Sequence, residues 1–324
     1  MVHAVRIHEV GGPEVLRWEE VTIAEPGPAE VCLRQTAIGL NYIDTYHRSG
    51  LYPLPGLPAI LGVEGAGMVE AVGANVTTVK PGDRVAYAGV IGGYSEVRLI
   101  AADRLVPLPD WLGERRAAAV MLQGMTAEFL LHRTYRVQPG DTILVHAAAG
   151  GVGLLLCQWA SSIGATVIGT VSTEEKAALA SAHGCHHVIL YTRENFVEAV
   201  RTLTGGAGLP VVYDGVGRST FEGSLECLRP RGLMVSFGQA SGAIPPFDLG
   251  ILSAKGSLYL TRPTLFTYVA KREELLASAA TVFEAVRTGD LSVEVRQTFA
   301  LSEAAEAHRA LVGRSTSGAT VLEP

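Results

Sequence analysis

The chain has 324 residues, 48% of them hydrophobic and 18% charged, with a formal net charge of −6. That length favours two domains, and the composition belongs to a globular protein with a large core rather than to a disordered chain. The acidic balance argues against a nucleic-acid partner, and the four dispersed cysteines, with no CxxC pair, argue against a disulfide framework or a Cys-rich metal knuckle. Met1 to Arg17 lacks the pattern of a signal peptide, and no run of about 18 apolar residues offers a membrane span, so the expectation is a soluble cytoplasmic protein.

Up to about residue 120 the chain is rich in Gly, Pro and Val, with short alternating runs at Glu30–Gln35, Gly67–Val72 and Asp83–Ala88. Gly11-Gly12-Pro13, Pro26-Gly27-Pro28 and Pro81-Gly82-Asp83 punctuate them as turns, which predicts a mostly β domain. From Arg115 to about Leu260, strands alternate with helices. Thr142–His146 reads as a strand, Gly151–Ile163 as an apolar helix ended by Gly164, and Ala165–Thr170 as the next strand. Ser172 is expected to cap the following helix, with Glu175 closing a capping box, and that helix stops at Gly184. His187–Tyr191, Leu209–Tyr213 and Leu233–Phe237 complete the strands, and Glu194–Leu203 carries Phe196, Val200 and Leu203 on one helical face. Apolar strands alternating with helices predict a parallel sheet covered on both faces. Beyond Pro263, a helix at Glu273–Arg287, a strand at Val293–Phe299, a helix at Ser302–Val312 capped by Gly313 and a strand at Ala319–Leu322 are assigned to the N-terminal β domain. The alternating domain is then an insertion, with the active site expected in the cleft between the two.

Val145-His146-Ala147-Ala148-Ala149-Gly150-Gly151-Val152-Gly153 follows a predicted strand and opens a predicted helix. Gly150 permits a tight bend, Gly151 a close approach to a pyrophosphate, and Gly153 close packing of helix on sheet. Alanine replaces the first glycine of the strict GxGxxG pattern. A strand–helix turn without a ligand is the plain alternative, but the surrounding βαβαβ alternation favours a dinucleotide.

NAD sites place an acid about 20 residues past the first glycine, at the end of the second strand. Here that place reads Gly169-Thr170-Val171-Ser172-Thr173, with Lys176 on the next helix turn. A missing carboxylate and a nearby cation suit the 2′-phosphate of NADPH. The segments Leu40-Asn41-Tyr42-Ile43-Asp44 and Leu61-Gly62-Val63-Glu64 stand where zinc alcohol dehydrogenases carry a Cys and a His, and neither is present. Glu64 reads as a buried carboxylate with a structural partner. His183, His186 and His187, beside Cys185, read as structural or surface residues, so no metal is expected.

Gly140-Asp141, Leu144, Ala148-Ala149-Gly150-Gly151, Gly153, Gln158 and Ser161 fit the signature of the quinone oxidoreductase/ζ-crystallin family. Across nearly the whole chain the sequence resembles that zinc-independent branch of the medium-chain dehydrogenases/reductases, the bacterial NADPH:quinone reductases in particular. The resemblance implies an α/β protein: a Rossmann doubly wound parallel sheet (123–262) inserted in a GroES-like, mostly β catalytic domain (1–122 and 263–324). It implies that Asn41 and Tyr46 lie near the nicotinamide and acceptor, that Thr126 and Phe129 border the nicotinamide half, and that Gly150, Gly151, Val152 and Gly153 hold the pyrophosphate. Ser172, Lys176, Tyr191 and Arg314 would surround the 2′-phosphate. Val216, Phe237 and Gly238 would line the cofactor trough, closed by Thr264 and Leu265. It further implies a homodimer through the strand edge at Gly256–Thr261 and hydride transfer from NADPH to a quinone, with Tyr46 or an ordered water as proton donor. Reduction of an α,β-unsaturated carbonyl double bond, or a ζ-crystallin-like binding or structural role, are the alternatives.

Overall fold

The computed structural model describes residues 1–324. In chain order the strands are β1 (Val2–Ile7), β2 (Arg17–Val21), β3 (Glu30–Leu40), β4 (Ala59–Ile60), β5 (Glu64–Val72), β6 (Arg84–Ala88), β7 (Val97–Ala101), β8 (Val106–Pro107), β9 (Thr142–Val145), β10 (Thr166–Val171), β11 (His187–Leu190), β12 (Leu209–Asp214), β13 (Leu228–Ser236), β14 (Tyr259–Thr261), β15 (Val295–Ala300) and β16 (Ala319–Glu323). The helices are α1 (Tyr42–Arg48), α2 (Glu114–Phe129), α3 (Gly151–Ile163), α4 (Glu174–Ala182), α5 (Phe196–Leu203), α6 (Phe221–Glu226), α7 (Gly250–Ala254), α8 (Leu265–Tyr268), α9 (Arg272–Thr288) and α10 (Ala304–Val312). The chain forms two compact units: Met1–Met125 with Val269–Val282 and Val293–Pro324, and Thr126–Tyr268 with Phe283–Ser292. Expected domain boundaries at 122/123 and 262/263 compare with unit boundaries at 125/126 and 268/269, and Phe283–Ser292 groups with the second unit.

The first unit holds two sheets. One has the order β2-β1-β4, and the other has β15-β16-β3-β5-β6-β8 with β7 also paired to β3. All their pairings are antiparallel except β15 with β16. β3 and β5 reach beyond the alternating runs of the sequence, because both continue through buried residues such as Ile38 and Ala66.

The second unit is a six-stranded parallel sheet in the order β11-β10-β9-β12-β13-β14. Read from its first strand this is the doubly wound order 3-2-1-4-5-6, whose direction reverses between β9 and β12. Leu144, Ile168, Ile189, Val212 and Met234 come from five of the strands and share one core. Each fully buried aliphatic side chain contributes about 1.5–3 kcal/mol before entropy is counted. α3 ends where the sequence predicts, on Gly164 in the left-handed region at φ 96°.

One cap differs from expectation. α4 is capped by Thr173, whose hydroxyl accepts from the Lys176 backbone N–H at 3.2 Å. Ser172 stands one residue too early: β10 runs through Val171, and the Ser172 carbonyl accepts from the Thr192 hydroxyl at 3.0 Å. Glu175 is therefore not a cap partner. Gly313 caps α10 as expected, right-handed at φ −70°, and the left-handed residue is the next one, Arg314 at φ 59°. Thr173→Ala is expected to cost about 1 kcal/mol in urea unfolding, the usual loss for an N-cap hydroxyl. Ser172→Ala should cost clearly less, and equal losses would contradict the assigned cap.

Candidate functional site

In the second unit the polar side chains gather at the carboxyl ends of the central strands, where ligands bind in open α/β sheets. His146 follows β9, Thr170 lies near the end of β10, and Asp214 and Ser236 end β12 and β13. All four are buried. His146 Nδ1 lies 2.8 Å from Thr170 Oγ1, and Nε2 lies 3.0 Å from Ser224 Oγ. Ser224 gives its one proton to Asp214 Oδ2 (3.0 Å), so His146 carries its proton on Nε2 and accepts on Nδ1. Burial pushes the imidazole below its ordinary value against the opposing pull of Asp214.

The glycine turn sits above this layer. Ala147 has φ 53°, an uncommon conformation for a side-chain-bearing residue, and its carbonyl accepts from Gly150 N–H at 2.9 Å. Gly150 is extended and Gly151 starts α3. A Cβ on Gly153 would run into the Ala147 carbonyl oxygen, so the helix can lie this close only with glycine there. The turn thus offers a tightly apposed backbone and the positive end of a 13-residue helix dipole, a cradle fitted to a pyrophosphate.

Ser172 and Lys176 flank the start of α4, and Tyr191 follows β11 with its ring exposed. The two loops are tied together: Tyr191 N–H donates to Val171 O (3.2 Å), Thr192 to Ser172 O, and Arg193 forms an ion pair with Glu174. That ion pair engages the first acid of α4, a partner not evident from the local sequence. Val216 and Phe237 are half-buried beyond β12 and β13. Phe129 is buried and stacks on Tyr268 (4.3 Å between ring centroids). Thr126 is buried on α2, Thr264 is exposed, and Leu265 begins α8. A π-helical turn at Leu130–Thr134 follows Phe129, and the buried Tyr213 hydroxyl donates to the Leu130 carbonyl at 3.1 Å.

In the first unit Asn41 is the N-cap of α1 in a reciprocal capping box with Asp44. Its amide donates to Glu64 Oε2 (2.7 Å), and its carbonyl oxygen accepts from Gln123 (3.2 Å). Glu64 Oε1 accepts from the Leu122 backbone N–H at 2.7 Å. Asp44 Oδ2 accepts from Asn41 N–H (2.9 Å) and the Tyr94 hydroxyl (2.8 Å), while Oδ1 has no hydrogen-bond partner. Tyr94 in turn accepts from His308 (2.8 Å), which accepts from Arg48 (2.9 Å). Tyr46 is buried in an aromatic group, 5.5 Å from Tyr42 and 5.1 Å from Tyr52. Arg314 is exposed after α10. No group of three or more His, Cys, Asp or Glu side chains is placed to hold a metal ion. His183 bonds the Leu179 carbonyl (2.8 Å) and His186 accepts from Val167 N–H (3.0 Å).

Burial raises the Glu64 carboxyl to about 8 against hydrogen bonds from Asn41 and Leu122, and raises Asp44 to about 7. A carboxyl raised on folding keeps a proton that the unfolded chain has released, so both groups make the fold less stable as pH climbs toward those values. His308, pushed down to about 3 by burial and Arg48, acts in the opposite sense only below its ordinary 6.5. Between pH 6.5 and 8 the wild-type Tm should therefore fall, and Glu64→Gln should flatten the fall. Parallel Tm curves for the two proteins would mean that Glu64 is ionised throughout.

Two family models match the chain: an alcohol dehydrogenase GroES-like domain over residues 27–110 and a zinc-binding dehydrogenase over residues 151–276. The chain is 55% identical to a quinone oxidoreductase of Pseudomonas aeruginosa, with all of both chains covered. It is 48% identical to a 2-haloacrylate reductase of Burkholderia sp, covering 100% of this chain and 99% of that one. The crystal structure of Escherichia coli quinone oxidoreductase complexed with NADPH superposes with a TM-score of 0.98 at 48% identity, over 99% of this chain and 100% of that one. The chain belongs to the quinone oxidoreductase family of the medium-chain dehydrogenases/reductases.

Proposed function

We propose that the protein is an NADPH-dependent reductase that passes a hydride to a quinone without a metal. The observation that carries this is the strand–turn–helix cradle of Gly150, Gly151, Val152 and Gly153 at the reversal point of the parallel sheet, in a chain so similar to quinone oxidoreductases. The cradle holds the pyrophosphate. β10 ends on Val171 with no acid before α4, and Lys176, Ser172, Tyr191 and Arg314 are assigned to the 2′-phosphate. Thr126, Phe129, Val216, Phe237, Gly238, Thr264 and Leu265 are assigned to the nicotinamide half and the trough. When bound, the nicotinamide supplies the hydride, and the chain supplies position and electrostatics. Asn41, with its amide committed to Glu64, acts as an oriented polar contact rather than a proton donor. Tyr46 and the tyrosines beside it form an aromatic wall for a flat acceptor, and Tyr46 or a water supplies the proton that completes the hydroquinone after hydride transfer.

A second reading, reduction of a double bond conjugated to a carbonyl, is favoured by the relative named 2-haloacrylate reductase. We further propose a homodimer formed along β14, the edge strand of the parallel sheet, where Tyr259 is 61% exposed. The four unpaired thiols fit a cytoplasmic setting, and no helix is long and apolar enough to cross a membrane.

The test is steady-state oxidation of NADPH and NADH with 1,4-naphthoquinone, 9,10-phenanthrenequinone and a panel of enones, with and without a chelator. Chelator-insensitive NADPH turnover with quinones is expected, and a clear preference for enones would move the protein to the second reading. Lys176→Ala should weaken NADPH binding on the order of tenfold while leaving NADH within twofold, as loss of a charge-assisted phosphate contact implies. Equal losses for both cofactors would remove Lys176 from the 2′-phosphate site.

A further inference from the structure

The turn after β12 is built around one buried carboxylate. Asp214 Oδ1 accepts from the backbone N–H groups of Val216 (2.7 Å) and Gly217 (3.0 Å). Its Oδ2 accepts from the hydroxyls of Thr220 (2.7 Å) and Ser224 (3.0 Å). Four donors on four lone-pair positions fully satisfy a group that is 0% exposed. Its backbone carbonyl accepts from Phe237 N–H (2.9 Å) and Gly238 N–H (3.3 Å), the first residues beyond β13. The loops after β12 and β13 are further joined by Ser241, whose N–H and hydroxyl both donate to Val216 O at 2.8 Å. Val216 N–H and Gly217 N–H lie beyond the end of β12, and the acceptor they share is the Asp214 carboxylate.

We propose that Asp214 is a positioning residue of the cofactor site, its carboxylate moulding the turn that carries Val216. This rests on the reading that the sheet binds a nicotinamide dinucleotide. Asp214 is buried beneath the turn and is not assigned to touch the cofactor; it acts through the backbone it orders. A purely structural residue would change stability and leave the affinity of the folded protein alone. A positioning residue changes affinity in protein that is still folded, and does so for both cofactors, since the turn lies away from the 2′-phosphate loops.

Asp214→Ala removes every side-chain bond to the turn. Asp214→Asn can keep Oδ1 on the two backbone N–H groups, with Thr220 and Ser224 rotating to accept from its amide. Thr220→Val deletes one hydroxyl, bonded to Asp214 and also to Gly217 O (3.1 Å), in a folded background. Dissociation constants for NADPH and NADH, read from nicotinamide fluorescence beside the Tm of each variant, give the test. Asp214→Ala should weaken both cofactors roughly tenfold, Thr220→Val severalfold, and Asp214→Asn should recover most of the loss. Should Asp214→Ala not fold, the other two variants carry the test. Wild-type affinity in folded Thr220→Val, or no advantage of Asp214→Asn over Thr220→Val, overturns the role of Asp214. Wild-type protein that binds neither cofactor overturns the dinucleotide reading itself.

Discussion

A parallel sheet has to end its strands somewhere, and there the backbone and any buried polar side chain lose the ladder that satisfied them. An unmet buried donor or acceptor costs about 1–3 kcal/mol, so the ends of β9, β10 and β12 need partners. His146, Thr170 and Asp214 supply them to one another through Ser224 in a single connected chain of hydrogen bonds. The glycine turn follows directly on His146, and the turn at Val216–Gly217 is bonded to Asp214. The apolar body of the sheet provides most of the stability, while this thin polar layer decides the form of the surface offered to a ligand.

The first unit handles its buried acids differently. Asp214 receives four side-chain hydrogen bonds, whereas Asp44 receives two and leaves one oxygen without a partner. With few donors, desolvation dominates, and the carboxyls of Asp44 and Glu64 are pushed up toward the neutral range. Arg48, His308 and Tyr94 pass donors one to the next and end on Asp44, so the chain has a direction. It ties α1 to α10 across 260 residues of sequence through Arg48 and His308.

Much of the second unit was legible in the sequence because its signals are local and periodic. The strands are nearly continuous apolar runs, and the glycine turn and Gly164 mark both ends of α3. What was not legible depends on competition or distance. Val171-Ser172-Thr173 offers two hydroxyls in series, and the sequence alone does not show that β10 runs through Val171 and leaves Thr173 as the cap of α4. Arg314 takes a left-handed conformation that nothing in an arginine's local preference announces. In the first unit, two-residue strands such as β4 carry no period to detect, and α1 is too short for a helical stripe. Asn41 could be named as a candidate and Glu64 as a carboxylate with a structural partner, but nothing in the sequence paired them with each other. Asp214 carries no local signal of its role, because a single acid at the end of an apolar strand has the pattern of an ordinary turn residue.

The capping of α4 by Thr173 also bears on cofactor choice. Had Glu175 been the cap partner, the acids at the start of the helix would have been half accounted for by local structure. With Thr173 as cap, the answer shifts to the neighbouring loop, where Arg193 engages Glu174. An exposed ion pair of this kind adds little stability. Its weight is electrostatic and local: it cancels one negative charge at the mouth of the loops assigned to a phosphate. On the proposed assignment, discrimination between two cofactors that differ by that phosphate alone would depend on the charge balance of these two solvent-facing loops.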